Sequence, residues 1–154
     1  MTKRLKGNLL VLGQFILIGL LIFVPASGLN TGVFSTFLAG VSLISMFIGF
    51  VILALSALAL GKSLTAHPIP AKNAVLVTDG LYRFVKHPIY SGLILLGFGL
   101  TIAGGFFPHA IFFVALVLLL NYKASFEEKL LASTYAGYNE YSKKTGRFIP
   151  RLKR

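Results

Sequence analysis

Two short clusters hold most of the side chains in this sequence that could bind a charged ligand or move a proton. One is Gly80-Leu81-Tyr82-Arg83-Phe84-Val85-Lys86-His87-Pro88-Ile89-Tyr90-Ser91-Gly92 and the other is Glu127-Glu128. Both stand where a polar segment meets an apolar one, and ionisable groups drawn toward hydrocarbon are costly enough to mark functional sites by default. Pro88 suits the first turn of a helix, so Lys86, His87 and Tyr90 gather around an electropositive helix N-terminus fit for an anionic group. Just upstream, Ala74-Val75-Leu76-Val77-Thr78 is an apolar, β-prone run closed by an Asp79-Gly80 turn. Its backbone amides and carbonyls could bond a ligand lying along it. The plainer reading of this loop is a re-entry turn, with His87 capping the helix and Tyr90 marking the interface.

The second cluster opens a helical pattern over 123–141. Steps of three and four put Glu128, Leu131, Tyr135 and Tyr138 on one face, a carboxylate above an aromatic stripe. An amphipathic helix lying on a membrane with tyrosines at the head groups would show the same pattern. As neighbours, Glu127 and Glu128 point about 100° apart, which argues against a paired acid and base. No metal site is expected. The chain has no cysteine, and His109 belongs to the opposite membrane face from His67 and His87. Gly97-Phe98-Gly99 lies inside an apolar helix with no strand before it, so it reads as close helix packing rather than a dinucleotide loop.

The elements that must position these groups are membrane helices. Hydrophobic residues make up 56% of the chain and charged residues only 12%, far from the soluble average, and 154 residues make one domain. Four apolar segments stand out, at 8–24, 33–60, 89–107 and 110–122. The expected fold class is therefore an all-α integral membrane protein of about four transmembrane helices, with a loop and a C-terminal helix at one face. The second segment, 28 residues long, reaches about 42 Å, so it must tilt, bend or project beyond a hydrocarbon layer of roughly 30 Å. Gly104-Gly105-Phe106-Phe107-Pro108-His109 reads as a tight hairpin between the last two spans.

All 15 lysines and arginines fall before the first span, between the second and third, or from Lys123 onward. By the positive-inside rule both termini, the middle loop and the site face the cytoplasm. Val24-Pro25-Ala26 before Ser27 has the small-residue look of a signal cleavage site, but cleavage there would leave three spans and put one cluster outside. A retained helix fits the charges. The net charge of +11 is dispersed over helix ends and a juxtamembrane tail, which suits anionic membrane lipids as partners rather than nucleic acid.

Taken in order, Leu60-Gly61-Lys62-Ser63, Leu76-Val77-Thr78-Asp79-Gly80-Leu81-Tyr82-Arg83, His87-Pro88-Ile89-Tyr90-Ser91-Gly92, Glu127-Glu128, Tyr138, Tyr141 and Arg147-Phe148-Ile149-Pro150 resemble the isoprenylcysteine carboxyl methyltransferase family, with its bacterial and archaeal relatives and the phospholipid methyltransferases. The resemblance covers about 60–150, leaving 1–60 as generic spans and 61–150 as the cofactor-binding and catalytic region of the domain. The family pattern usually has Arg before His-Pro, where this chain has Lys86, which keeps the charge but not the planar two-pronged hydrogen bonding. The resemblance implies a membrane enzyme that binds S-adenosylmethionine and methylates a lipophilic acceptor reaching it from the bilayer. Carried over by position, Ala74, Val75, Leu76, Val77, Tyr82, His87, Pro88, Ile89, Tyr90 and a glutamate of the pair Glu127 and Glu128 would line the cofactor pocket. Arg83 or Lys123 would orient a carboxylate acceptor, and Glu128 or Tyr90 would serve as base for an amine or hydroxyl. An NADPH-dependent reductase of the sterol-reductase type and a non-catalytic lipid-binding protein are the alternatives.

Overall fold

The computed structural model describes residues 2–27, 33–68 and 75–151. Five α-helices follow in order: α1 (Lys3–Phe23), α2 (Val33–Leu60), α3 (Pro88–Ala103), α4 (His109–Thr134) and α5 (Tyr138–Lys144), with single 3-10 turns at Gly61–Ser63 and Gly80–Arg83. No strand is present among the described residues, so the β-prone run at 75–78 is irregular backbone and not part of a sheet. Ala74 lies outside the described residues.

Three helices, Lys3–Phe23, Ser35–Leu60 and His109–Thr134, are long and apolar enough to cross a bilayer, and Pro88–Ala103 is a shorter apolar helix of 16 residues. Their outward faces carry exposed apolar side chains such as Phe37, Leu43, Phe47, Leu58 and Leu118. Burial from water cannot hold helices together inside a lipid layer, so close approach and hydrogen bonds do it. The α2/α3 seam shows both devices. Gly49 faces Gly92, each so near the other helix that an added Cβ would lie 2.8 Å from the opposite carbonyl oxygen. On the same seam Ser42 Oγ donates to the Gly99 carbonyl and Ser45 Oγ to that of Leu95, both at 2.8 Å. The other seam, α1 on α4 and α3, closes over Leu21, Tyr90, Leu116, Leu120 and Ala124.

At the end of the bundle away from the two clusters, the chain turns through Gly104 to Pro108, with positive φ at Gly105 and Phe106 and a cis Phe107-Pro108 bond. Ser27 Oγ donates to the carbonyls of Gly104, Gly105 and Phe107 and ties the end of α1 to this turn.

Two boundaries differ from the sequence reading. The third helix stops at Ala103, short of 107, because the Gly104-Gly105 pair leaves the helical path. The fourth runs unbroken through Tyr122 and Lys123 to Thr134, so 110–122 and the first half of 123–141 are one helix of 26 residues, about 39 Å long. No helix breaker separates them. The break falls instead at Tyr135, after Ser133 and Thr134 turn their hydroxyls back onto the Leu130 carbonyl and before Gly137 starts α5. As α4 exceeds the hydrocarbon thickness, its last turns carry Lys123, Glu127 and Glu128 toward the bundle end.

Candidate functional site

The site is assembled by a suture between two distant segments. Val85 and Gly146 form a parallel bridge: Lys86 N donates to Gly146 O at 2.8 Å, His87 N to Arg147 O at 3.1 Å, and Gly146 N to Phe84 O at 3.2 Å. Ser91 Oγ donates to Phe148 O at 2.6 Å. Gly146 has no room for a Cβ against the Ile149 carbonyl, so the turn that brings Arg147 and Phe148 over the start of α3 requires glycine. Phe148 meets the rings of His87 and Tyr90 edge-on.

His87, 6% exposed, stands between the two glutamates of α4. Its Nε2 is 3.2 Å from Glu128 Oε1 and its Nδ1 is 3.6 Å from Glu127 Oε2. The imidazole does not cap α3. Neighbouring glutamates that point apart in sequence terms thus converge on one ring, because the ring reaches between them. Tyr90 stacks on His87 with ring centroids 5.2 Å apart and an interplanar angle of 4°, and its hydroxyl donates to Glu127 Oε2 at 2.8 Å. Glu128 is fully engaged. Arg147 meets it with two prongs, Nε to Oε1 at 3.0 Å and Nη2 to Oε2 at 3.2 Å, while Lys86 Nζ reaches Oε2 at 3.2 Å. Lys86 therefore acts as a point charge, and Arg147 supplies the planar contact. Arg147 Nη1 also donates to Asn121 Oδ1 and Ser125 Oγ, which fixes it along α4.

Beside this network lies a cavity of about 360 Å³. Val75, Leu76, Val77, Tyr82, His87, Ile89, Tyr90, Lys123 and Glu127 line it, so most of the residues singled out in the sequence are brought together. Three are not on its wall. Pro88 is buried as the first residue of α3, Glu128 sits behind His87, and Arg83 is exposed and absent from the lining. Leu131, Tyr135 and Tyr138 do share the cavity, joined by Glu127 rather than by Glu128, and Tyr141 completes the aromatic wall. The Tyr141 hydroxyl donates to Tyr82 O at 2.6 Å. Burial pushes the Tyr141 phenol up to about 12 and raises those of Tyr82 and Tyr138 as well, so all three stay neutral hydrogen-bond donors. Tyr138, only 2% exposed, has no partner for its hydroxyl among the described residues.

Several lining residues escaped the sequence reading, Leu64, Thr65, Ala66 and Gln14 among them. Gln14 of α1 accepts a hydrogen bond from Lys123 Nζ at 2.6 Å. The available signal was that Gln14 is the single polar side chain in the apolar run 9–24.

The phospholipid methyltransferase family model matches residues 35–137. The chain belongs to that family. Among curated relatives, it is 33% identical over 81 residues to the protein-S-isoprenylcysteine O-methyltransferase of Schizosaccharomyces pombe, a match covering 51% of this chain and 34% of that protein. It is 34% identical over 83 residues to the cobalt-zinc-cadmium resistance protein CzcN of Cupriavidus metallidurans, covering 53% of this chain and 38% of that one. The matches thus span little more than a third of either relative's length. The family match takes in the Lys86 to Tyr90 segment and both glutamates, and leaves out α1 with Gln14 and the strap carrying Arg147. With apolar helices of spanning length, this is an integral membrane protein of a membrane methyltransferase family.

Proposed function

We propose that this protein transfers a methyl group from S-adenosylmethionine to a lipophilic acceptor, at a site on the cytoplasmic face of the membrane. The observation that carries the reading is the wall formed by His87, Tyr90 and Glu127 beside a tyrosine-lined cavity at the end of an apolar bundle.

The residues present fit the cofactor. The cavity volume lies in the usual range for small-molecule sites, roughly 300–1,000 Å³. Glu127 and the faces of Tyr82 and Tyr90 suit a sulfonium, the loop backbone at 75–77 suits an adenine edge, and the Tyr138 hydroxyl, without a partner among the described residues, suits a ribose or amino-acid oxygen. When bound, the cofactor supplies an electrophilic methyl group.

The contribution of the chain is mainly positional. Glu128, with both oxygens occupied, holds His87 and Lys86 in place, and His87 with Tyr90 holds Glu127. Tyr135, Tyr138 and Tyr141 line the cavity, where a bound ligand displaces water, and most of the acceleration then comes from alignment. Lys123 is the cation in the wall available to an acceptor, while Arg83 stands outside it. All positive charge lies at the start of α1, between α2 and α3, or after the apolar part of α4, which supports a cytoplasmic site.

Titration of the purified protein in detergent micelles with S-adenosylmethionine, S-adenosylhomocysteine and NADPH tests the reading. Saturable binding of the first two is expected. Binding of NADPH instead, or of none of the three, would overturn it.

A further inference from the structure

Lys123 is 1% exposed, and its ammonium has three N–H donors to satisfy. One goes to Gln14 Oε1 at 2.6 Å, and the Tyr90 ring lies 5.2 Å away. Among the described residues no carboxylate comes within 4.0 Å of it. Glu127, one turn further along α4, gives Oε2 to Tyr90 and His87, and Glu128 is taken by Lys86, His87 and Arg147. Lys86 and Arg147 both bond Glu128, and Lys123 is the cation of this cluster that touches neither carboxylate. A buried ammonium in direct contact with only an amide oxygen and a ring face is a poor resting arrangement, since the charge of Glu127 offsets its desolvation only in part and from beyond contact distance. Both Lys123 and Gln14 line the cavity.

We propose that Lys123 and Gln14 form an anion-binding subsite in this cavity, distinct from the glutamate wall, that receives a carboxylate or phosphate oxygen of a ligand. Lys123 supplies the charge. Gln14 is a positioning residue: its oxygen holds the ammonium above the Tyr90 ring. The first helix, which lies outside the stretch shared with the family, thereby becomes part of the site. The same oxygen chemistry occurs on the amino-acid end of S-adenosylmethionine and on the head of an acidic lipid, so the source is decided by experiment. The cofactor source alone rests on the methyltransferase reading.

Two matched pairs of probes separate the cases in calorimetric titrations of the full chain in micelles. S-adenosylhomocysteine is set against methylthioadenosine, which lacks the amino-acid end, and hexadecanoate against hexadecanol. In Lys123→Met, affinity for the carboxylate-bearing member of one pair should fall about tenfold or more while its counterpart without a carboxylate changes less than about twofold. The pair that responds names the source. Gln14→Glu is the control for a merely structural link: it keeps an acceptor oxygen for Lys123 but neutralises the ammonium, so it should lose anion discrimination as Lys123→Met does. If Gln14→Glu retains full discrimination, or both pairs respond equally to Lys123→Met, the subsite is refuted. Failure of both nucleosides to bind the unaltered protein would sink the methyltransferase reading, yet the hexadecanoate pair would still test the subsite. If neither pair shows discrimination in the unaltered protein, the subsite is refuted as well.

Discussion

The imidazole of His87 lies parallel to the ring of Tyr90, and both reach the same carboxylate oxygen, Glu127 Oε2, at 3.6 and 2.8 Å. One turn of α3 places the two rings in register, and one oxygen of α4 locks them. The consequence is a flat wall on which Glu127 is the carboxylate facing the cavity, since Glu128 is committed on the other side of the imidazole.

This geometry separates the two glutamates experimentally. Glu127→Gln removes the negative charge from the cavity wall but leaves an oxygen for the Tyr90 hydroxyl. Binding of S-adenosylmethionine, whose sulfonium faces that charge, should weaken by about 1–3 kcal/mol with the fold nearly unchanged. Glu128→Gln leaves Lys86 and Arg147 without their anion and should destabilise the protein by about 2 kcal/mol, discounted for their partial exposure. Calorimetry and thermal unfolding in micelles read the two effects, and identical profiles for the two variants would contradict the assignment.

The strap at 145–148 has its own test. Arg147→Met deletes the bonds to Glu128, Asn121 and Ser125 together, while Arg147→Lys restores charge without the two-pronged geometry. Amide exchange at Lys86 and His87, whose N–H groups bond Gly146 and Arg147 carbonyls, should accelerate in both variants and more in Met. Unchanged protection would mean that the backbone bridge holds the strap unaided.

Much of this was legible from residue order. Apolar length announced the spans, and the polar groups at 80–92 and 127–128 announced the site, because a membrane chain rarely retains such groups idly. What was not legible depended on tertiary reach. Nothing local says that Arg147 turns back across 19 residues to grip Glu128, or that Gln14 meets Lys123 across 109. The continuity of α4 through Tyr122 and Lys123 was hidden for a related reason. The change from apolar to polar there reports the end of the hydrocarbon layer, and a helix crosses that boundary without breaking.

The α2/α3 seam gives a prediction about stability alone. Gly49→Ala places a methyl 2.8 Å from both Gly92 O and Leu96 N, backbone atoms that cannot rotate away. The helices must part, at a cost of about 1–3 kcal/mol. Gly40→Ala, on the same helix with open space around it, should be neutral or slightly stabilising. The difference in melting temperature between the two variants reads the seam directly.

Orientation can be read by chemical labelling, as the chain has no cysteine. Ala26 and Asn139 are both exposed, the first beyond the end of α1 near the far turn and the second on α5 beside the site. In intact cells an impermeant thiol reagent should label Ala26→Cys and spare Asn139→Cys. The reverse pattern would place the site outside the cytoplasm.

The nature of the acceptor can be tested by its tail. The cavity adjoins helices whose outer faces are apolar, with Leu60, Leu64, Ile89 and Leu131 on its wall beside the charged groups. An acceptor that burys its chain among them gains up to about 0.8 kcal/mol for each methylene, close to fourfold in affinity. Methylation at a fixed free concentration should therefore fall by about fourfold with each methylene removed, until the tail no longer reaches the apolar wall. Leu131→Asn should flatten that dependence while leaving S-adenosylhomocysteine affinity almost unchanged, because it alters the surface met by the tail and not the Glu127 wall. Equal turnover of tailless and long-tailed acceptors would show that the cavity takes its substrate from water, and the lipophilic reading would fall.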